Sequence, residues 1–140
     1  MISVRKQEVV KLENVLHLYQ AVGWTNYTHQ PQMLEKSLSH SLAIYLALDG
    51  EAIVGLVRLV GDGFSSVFVQ DLIVLPSYQR QGIGSALMKE ALRDFKDAYR
   101  VQLATDQTEK NLEFYRSLGF ENLSTYDCTG MIWVERKKIK

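Results

Sequence analysis

The chain has 140 residues, 46% of them hydrophobic and 23% charged, the make-up of one soluble domain large enough to bury a core. Sixteen basic residues balance sixteen acidic ones, so no net field draws the protein to nucleic acid or to an anionic membrane. A single cysteine, Cys128, excludes an internal disulfide, no apolar run approaches the ~18 residues of a membrane span, and the mixed N-terminus is not signal-like, so the expectation is a cytoplasmic protein.

Residues 2–6 alternate well enough for an edge strand. From about Val9 to Val22, the positions Leu12, Val15, Leu16, Tyr19 and Val22 recur at helical spacing, which predicts an amphipathic helix stopped by Gly23. Residues 24–30 form an aromatic, polar loop, and Pro31 suits the first turn of a second short helix on which Leu34 and Leu38 share a face. Residues 41–48 and 52–60 read as two strands joined by Asp49-Gly50, a strong hairpin signal. The turn Gly61-Asp62-Gly63 then leads into the stretch on which the rest of the chain depends.

That stretch, residues 67–91, begins as a strand that is apolar almost throughout, broken only by Gln70 and Asp71. Such a run suits a sheet covered on both faces. Pro76 cannot donate to a ladder and ends it. Gln79-Arg80-Gln81-Gly82-Ile83-Gly84 follows, and then a helix with Ile83, Leu87, Ala91 and Phe95 on one face. Two glycines at a helix start let backbone N–H groups crowd together, where unpaired donors and the helix dipole favour an anion. A dinucleotide site wants a third glycine where Leu87 stands, and a P-loop wants Lys-Ser/Thr where Ser85-Ala86 stands.

The helix is expected to run out near residues 99–100, followed by a strand over 101–104. Residues 106–118 predict another helix, capped by Asp106 or Thr108 and closed by Gly119. Residues 120–123 and 130–136 read as two further strands, and the basic tail 135–140 as a solvated end. None of His17, His29 and His40 falls in a recognisable catalytic spacing, no metal-ligating cluster is visible, and Cys128 reads as an incidental thiol.

Two elements carry a family resemblance. Gln79, Gly82 and Gly84, preceded by the strand Asp71-Leu72-Ile73-Val74-Leu75-Pro76, match the Q/R-x-x-G-x-G/A signature of the GNAT N-acetyltransferase superfamily. Residues 114–120 match its F-Y-x-x-L-G-F element. The chain resembles that family over nearly its whole length. The resemblance implies a single α+β (α/β three-layer) domain over residues 1–140. Its mixed, mostly antiparallel sheet would have six to seven strands, flanked by about four helices. It implies acetyl transfer from acetyl-CoA to a primary amine of a small molecule, peptide or protein, by direct attack and without a metal. The alternative from another class is a non-catalytic acyl-CoA-binding or regulatory module.

Carried over by that resemblance, Gln79, Arg80, Gln81, Gly82, Ile83, Gly84 and Ser85 hold the pyrophosphate of the coenzyme. Leu72, Ile73 and Val74 pair with its pantetheine, because this strand usually bulges and diverges from the next, leaving backbone groups free. Tyr115 is the candidate general acid, since a phenol of ordinary pKa about 10 stays protonated at neutral pH; alone it would read as a core aromatic. Asp71 is the candidate base, with a buried Asp satisfied by backbone donors or by Arg58 as the equal alternative. Thr108 stands where many relatives carry an Asn that contacts the cofactor arm, and Asn111 where a small residue is common. Trp24, Tyr27 and His29 lie in the segment that covers the acceptor site in the family, or merely pack the helix pair on the sheet. Residues 71–74 and 130–133 loosely resemble a plastid-type subgroup acting on arylalkylamines and protein lysines, with Trp24, Tyr27, Tyr126 and Trp133 as pocket aromatics. An edge strand near the carboxyl end would offer pairing in a homodimer.

Overall fold

The computed structural model describes residues 1–135. They fall into two compact units, Met1–Leu103 and the segment that starts at Ala104.

The first unit is built on one sheet whose strands lie side by side in chain order: β1 (Ile2–Lys6), β2 (Ala43–Asp49), β3 (Ala52–Gly61), β4 (Val67–Val74) and β5 (Val101–Leu103). The first four pair antiparallel, and β5 runs parallel to β4. A parallel neighbour requires a crossover, which helix α4 (Ile83–Asp94) provides. Helices α1 (Leu12–Ala21), α2 (Thr25–Thr28) and α3 (Pro31–Ser39) separate β1 from β2.

Strand alternation sends side chains to the two faces in turn, and each face has its own cover. Ile44, Leu46, Leu48, Leu56 and Ile73 join Val15, Leu18, Tyr19, Tyr27, Leu34 and Leu38 in one buried cluster beneath α1–α3. Tyr45, between Ile44 and Leu46, points the other way, and its hydroxyl donates to Asp94 of α4 at 2.7 Å. There α4 buries Ile83, Leu87, Met88 and Ala91 at helical spacing. Gly55 lets that helix approach: a Cβ on it would stand 3.0 Å from the Ile73 carbonyl oxygen and 3.3 Å from Leu87 Cδ1. Helices, sheet and helix make three layers.

The second unit holds helix α5 (Glu109–Ser117) and a single 3-10 turn, Leu123–Tyr126. None of residues 104–135 is fully buried.

Three expectations need correction. Residues 120–122 are irregular and run into the 3-10 turn, so the strand expected at 120–123 is absent. Residues 130–135 form no strand either, and Arg136 lies outside the described residues. The sheet therefore has five strands among the described residues, not six or seven, and the helices number five. The physical reason is the same in both places: apolar alternation shows that a segment suits a pleated surface, not that a free edge is there to pair with it. Smaller differences are that α4 ends at Asp94 rather than near residue 100, and that α2 forms inside the expected loop.

Candidate active site

β4 changes its hydrogen-bonding sides halfway along. Val69 lies opposite Leu59, but Asp71 lies opposite Arg58, so Gln70 is an extra residue bulging from β4. Before the bulge, Val67 donates its N–H to the Arg100 carbonyl at 2.9 Å, toward the β5 side. Beyond it, Leu75 donates to Val54 of β3 at 2.9 Å, one step past the Gly55–Val74 pair. Alternation then turns the backbone groups of Asp71 and Ile73 to β3 and those of Leu72 and Val74 away from it. Pairing with β5 stops at Val69–Leu103, so these outward groups have no ladder partner. The sheet opens at Leu72 and Val74. Ile73, expected beside them, faces β3 with its backbone and the core with its side chain.

The loop after β4 closes the end of this opening. Pro76–Tyr78 forms a 3-10 turn fixed by the Tyr78 hydroxyl donating to Asp49 at 2.6 Å, a bond that holds the Asp49 carboxyl below its usual range. Gln79 Nε2 donates to the Val74 carbonyl at 3.0 Å and so ties the loop to the open strand edge. Arg80 adopts φ 67°, a left-handed conformation unusual for a residue with a Cβ. Gly82 at φ 81° is the N-cap of α4 and offers no side chain to its amides. The first helical bond back is from Ala86 N–H to the Gly82 carbonyl at 3.0 Å, so the N–H groups of Ile83, Gly84 and Ser85 have no helical acceptor. Gln79, Arg80 and Gln81 are exposed around them, while the Ile83 side chain is buried and anchors the turn. Unpaired amides at a helix start beside a free Arg make an anion cradle.

Asp71 sits beneath this edge, only 2% exposed. Its Oδ2 accepts from Arg58 Nε at 2.7 Å and from the Tyr19 hydroxyl at 2.8 Å, and its Oδ1 from the Tyr27 hydroxyl at 2.9 Å. Arg58 also donates to Ser41 Oγ at 3.2 Å and to Tyr27 Oη at 3.3 Å. Burial, reinforced by the Asp71 carboxylate, pushes the Tyr19 phenol well above its usual pKa and raises that of Tyr27. Burial disfavours the Arg58 charge, but Asp71, together with Tyr19 and Tyr27, more than offsets it, and its pKa rises. Three donors on a covered carboxylate leave no direct approach for a second molecule; the outermost link is Tyr27 Oη, 3.5 Å from Gln70 Nε2. The alternative weighed from sequence, an Asp paired with Arg58, is present. Tyr19 is a partner that sequence reading missed, because it looks like any helix core aromatic.

The three expected acceptor contacts part company. Tyr27 belongs to the Asp71 network, and Trp24 packs beside it with ring centroids 6.2 Å apart. His29 instead lines a separate open pocket of about 790 Å³ with Met33, Lys36 and His40.

In the second unit, Tyr115 stacks edge-on to Phe114 and Phe120, at 4.9 and 5.9 Å between centroids. Burial raises its phenol above the usual value, so it keeps its proton at neutral pH. Thr108 caps α5, its Oγ1 accepting the Asn111 N–H at 3.2 Å. Tyr126 and Trp133 are exposed. Among the described residues no group of three His, Cys, Asp or Glu is placed to hold a metal, and no helix is long and apolar enough to cross a membrane.

Comparison with known proteins adds four likenesses. The family profile described as "Acetyltransferase (GNAT) domain" matches residues 40–122. A solved structure of an acetyltransferase, GNAT family protein SP0256 from Streptococcus pneumoniae TIGR4, is 78% identical with a TM-score of 0.90, over 97% of this chain and 99% of that one. The chloroplastic GCN5-related N-acetyltransferase 1 of Arabidopsis thaliana is 29% identical over 97% of this chain and 68% of its own length. The aminoglycoside acetyltransferase AAC(6')-Iy, solved with a CoA-linked bisubstrate analog, shares the fold at 19% identity and a TM-score of 0.72, over 97% and 99% of the two chains. The chain spans 31% to 68% of the length of the plant relatives it matches.

Proposed function

The chain belongs to the GNAT acetyltransferase family, and from that premise we propose that it moves an acetyl group from acetyl-CoA to a primary amine by direct attack within a ternary complex. The observation that carries the reading is the open edge of β4 joined, through Gln79, to the uncapped start of α4. An extended chain with spaced amides that ends in a diphosphate fits both halves of that surface, and pantetheine with its pyrophosphate is such a chain. Acetyl-CoA supplies the acyl group already activated as a thioester.

The protein's part is binding, orientation and proton handling. Leu72 and Val74 offer N–H groups along the edge, and a fixed backbone donor there stabilises charge as it develops on an acyl oxygen. Ile83, Gly84 and Ser85 amides take the diphosphate, with Arg80 and Gln81 beside them and Thr108 a weaker contact. Tyr115 gives its proton to the leaving thiolate. Asp71 serves the amine through Tyr27: the hydroxyl takes the amine proton as its own passes to Asp71 Oδ1. Trp24 and Tyr27 supply aromatic surface toward the acceptor. The acceptor is a primary amine of a small molecule or peptide.

Free-thiol release from acetyl-CoA, measured across a panel of arylalkylamines, polyamines, lysine peptides and aminoglycosides, tests the reaction. Turnover with at least one amine class supports it. Binding of the coenzyme with no turnover on any class identifies a binding module instead.

A further inference from the structure

We infer that the buried Arg58–Asp71 pair is a register lock that holds the Gln70 bulge in β4 and so aims the Leu72 and Val74 amides into the coenzyme groove. The inference rests on the groove reading above but not on Asp71 taking a proton.

Leu59 and Arg58 are neighbours on β3 and send their side chains to opposite faces. Val69, opposite Leu59, and Asp71, opposite Arg58, therefore also lie on opposite faces, although they are two apart in sequence. Ile73 follows Asp71 into the cluster beneath α1–α3, while Val67 and Val69 stay outside it. If the bulge were drawn flat, the register of Leu59–Val69 would continue as Arg58–Gln70 and Val57–Asp71. Asp71 would then follow Val69 to the face that α4 covers, and Arg58 would be left beneath α1–α3 without its carboxylate. Both are fully covered positions, and an unpaired charge in either is strongly disfavoured.

The same slip would reverse the backbone. Asp71 and Ile73 would present N–H groups to the groove, and Leu72 and Val74 would turn to β3. An apolar strand such as β4 tolerates either register on hydrophobic grounds alone. The ion pair, 2.7 Å long, does not, and Tyr19 from α1, Tyr27 from α2 and Ser41 after α3 seal it from the helical side. Arg58 and Asp71 are the only buried charged residues among those described, and both are spent on this one juncture. Neither touches the groove; both act through the amides they place.

The test is the double variant Arg58→Met/Asp71→Leu, which keeps the volume and removes both charges. Its readouts are titration calorimetry with CoA itself and the cross-strand NOE between the α-protons of residues 57 and 72, the non-hydrogen-bonded pair next to Arg58–Asp71. The lock predicts a cooperative melt, loss of the NOE, a CoA dissociation constant raised about tenfold or more, and KM for acetyl-CoA rising more than kcat falls. Tyr27→Phe, which leaves the pair intact, should keep CoA affinity within about twofold. A double variant that retains the NOE, or binds CoA as the wild type does, overturns the lock. Should the double variant not fold, Asp71→Asn decides: weakened CoA binding supports the lock, while a fall in kcat alone, with the acid limb of the pH profile lost and CoA affinity unchanged, overturns it. A wild-type chain that shows the NOE yet ignores CoA defeats the groove reading and leaves the lock standing.

Discussion

Residues 1–103 and residues 104–135 contrast in how they are held together. Among the described residues, the first unit contains all of the fully buried side chains, with Val15, Leu18, Tyr19, Leu34, Leu56 and Leu87 at 0% exposure. The second contains none, and leaves Met131 and Ile132 at 94% and 73% exposure. Dispersion and burial scale with covered area, so the first unit should set global stability, while the second should open locally at lower cost. The candidate chemistry is divided in the same way. Most of the coenzyme cradle lies on the rigid sheet and α4, whereas Tyr115, the proposed acid, lies on the thinly covered helix.

The largest effect that probes this contrast is removal of Arg58. Arg58→Ala strands the Asp71 carboxylate and should cost about 3–5 kcal/mol in urea unfolding, the usual loss when one partner of a buried pair is removed. A loss near zero would mean that the first unit does not depend on its buried network. Next, Leu34→Ala should cost about 2–5 kcal/mol by leaving a cavity, whereas Leu118→Ala, at a half-buried position, should cost about 1 kcal/mol. Equal losses would erase the contrast between the units.

Tyr115→Phe separates stability from chemistry. It should leave the melting temperature and the CoA dissociation constant nearly unchanged while lowering kcat about 100-fold, within the range for lost acid catalysis. Unchanged turnover would remove its assigned role. Gly55→Ala pushes a methyl against Leu87 and the Ile73 carbonyl, and overpacking of that kind costs about 1–3 kcal/mol. Because Leu87 belongs to the helix that starts at the cradle, CoA affinity should fall as well. The smallest effect is alkaline. Tyr19, Tyr27 and Tyr45 have raised folded-state pKa values, so their stabilising contribution is whole below the unfolded value of about 10 and is lost as pH rises above it. Tyr19→Phe should flatten that decline in thermal melts between pH 10 and 11, and an unaltered slope would count against the coupling.

Sequence reading succeeded and failed along the same division. In the first unit, helical spacing of Leu12, Val15, Leu16 and Tyr19, the Asp49-Gly50 turn and the uninterrupted β4 run were each local signals that the tertiary structure also favours, and the elements appear where expected. The four-residue α2 escaped because one turn has no periodicity to detect. In the second unit, residues 120–123 and 130–136 had strand-like composition, and composition says nothing about whether an edge is available. The candidate site was legible as two motifs. What stayed hidden was the direction of each amide on β4, since a bulge at Gln70 depends on register with β3 and not on the strand's own residues. Arg58 and Asp71 were visible as opposite charges in two apolar strands. Their pairing was one of two equal alternatives; that Tyr19 and Tyr27 complete it was not visible.

Amide chemical-shift mapping during titration with CoA tests the central claim most directly. The account predicts that the largest perturbations fall on Leu72 and Val74 and on Ile83, Gly84 and Ser85, with Asp71 and Ile73 much less affected. Shifts confined to other surfaces, or none at millimolar CoA, would contradict it.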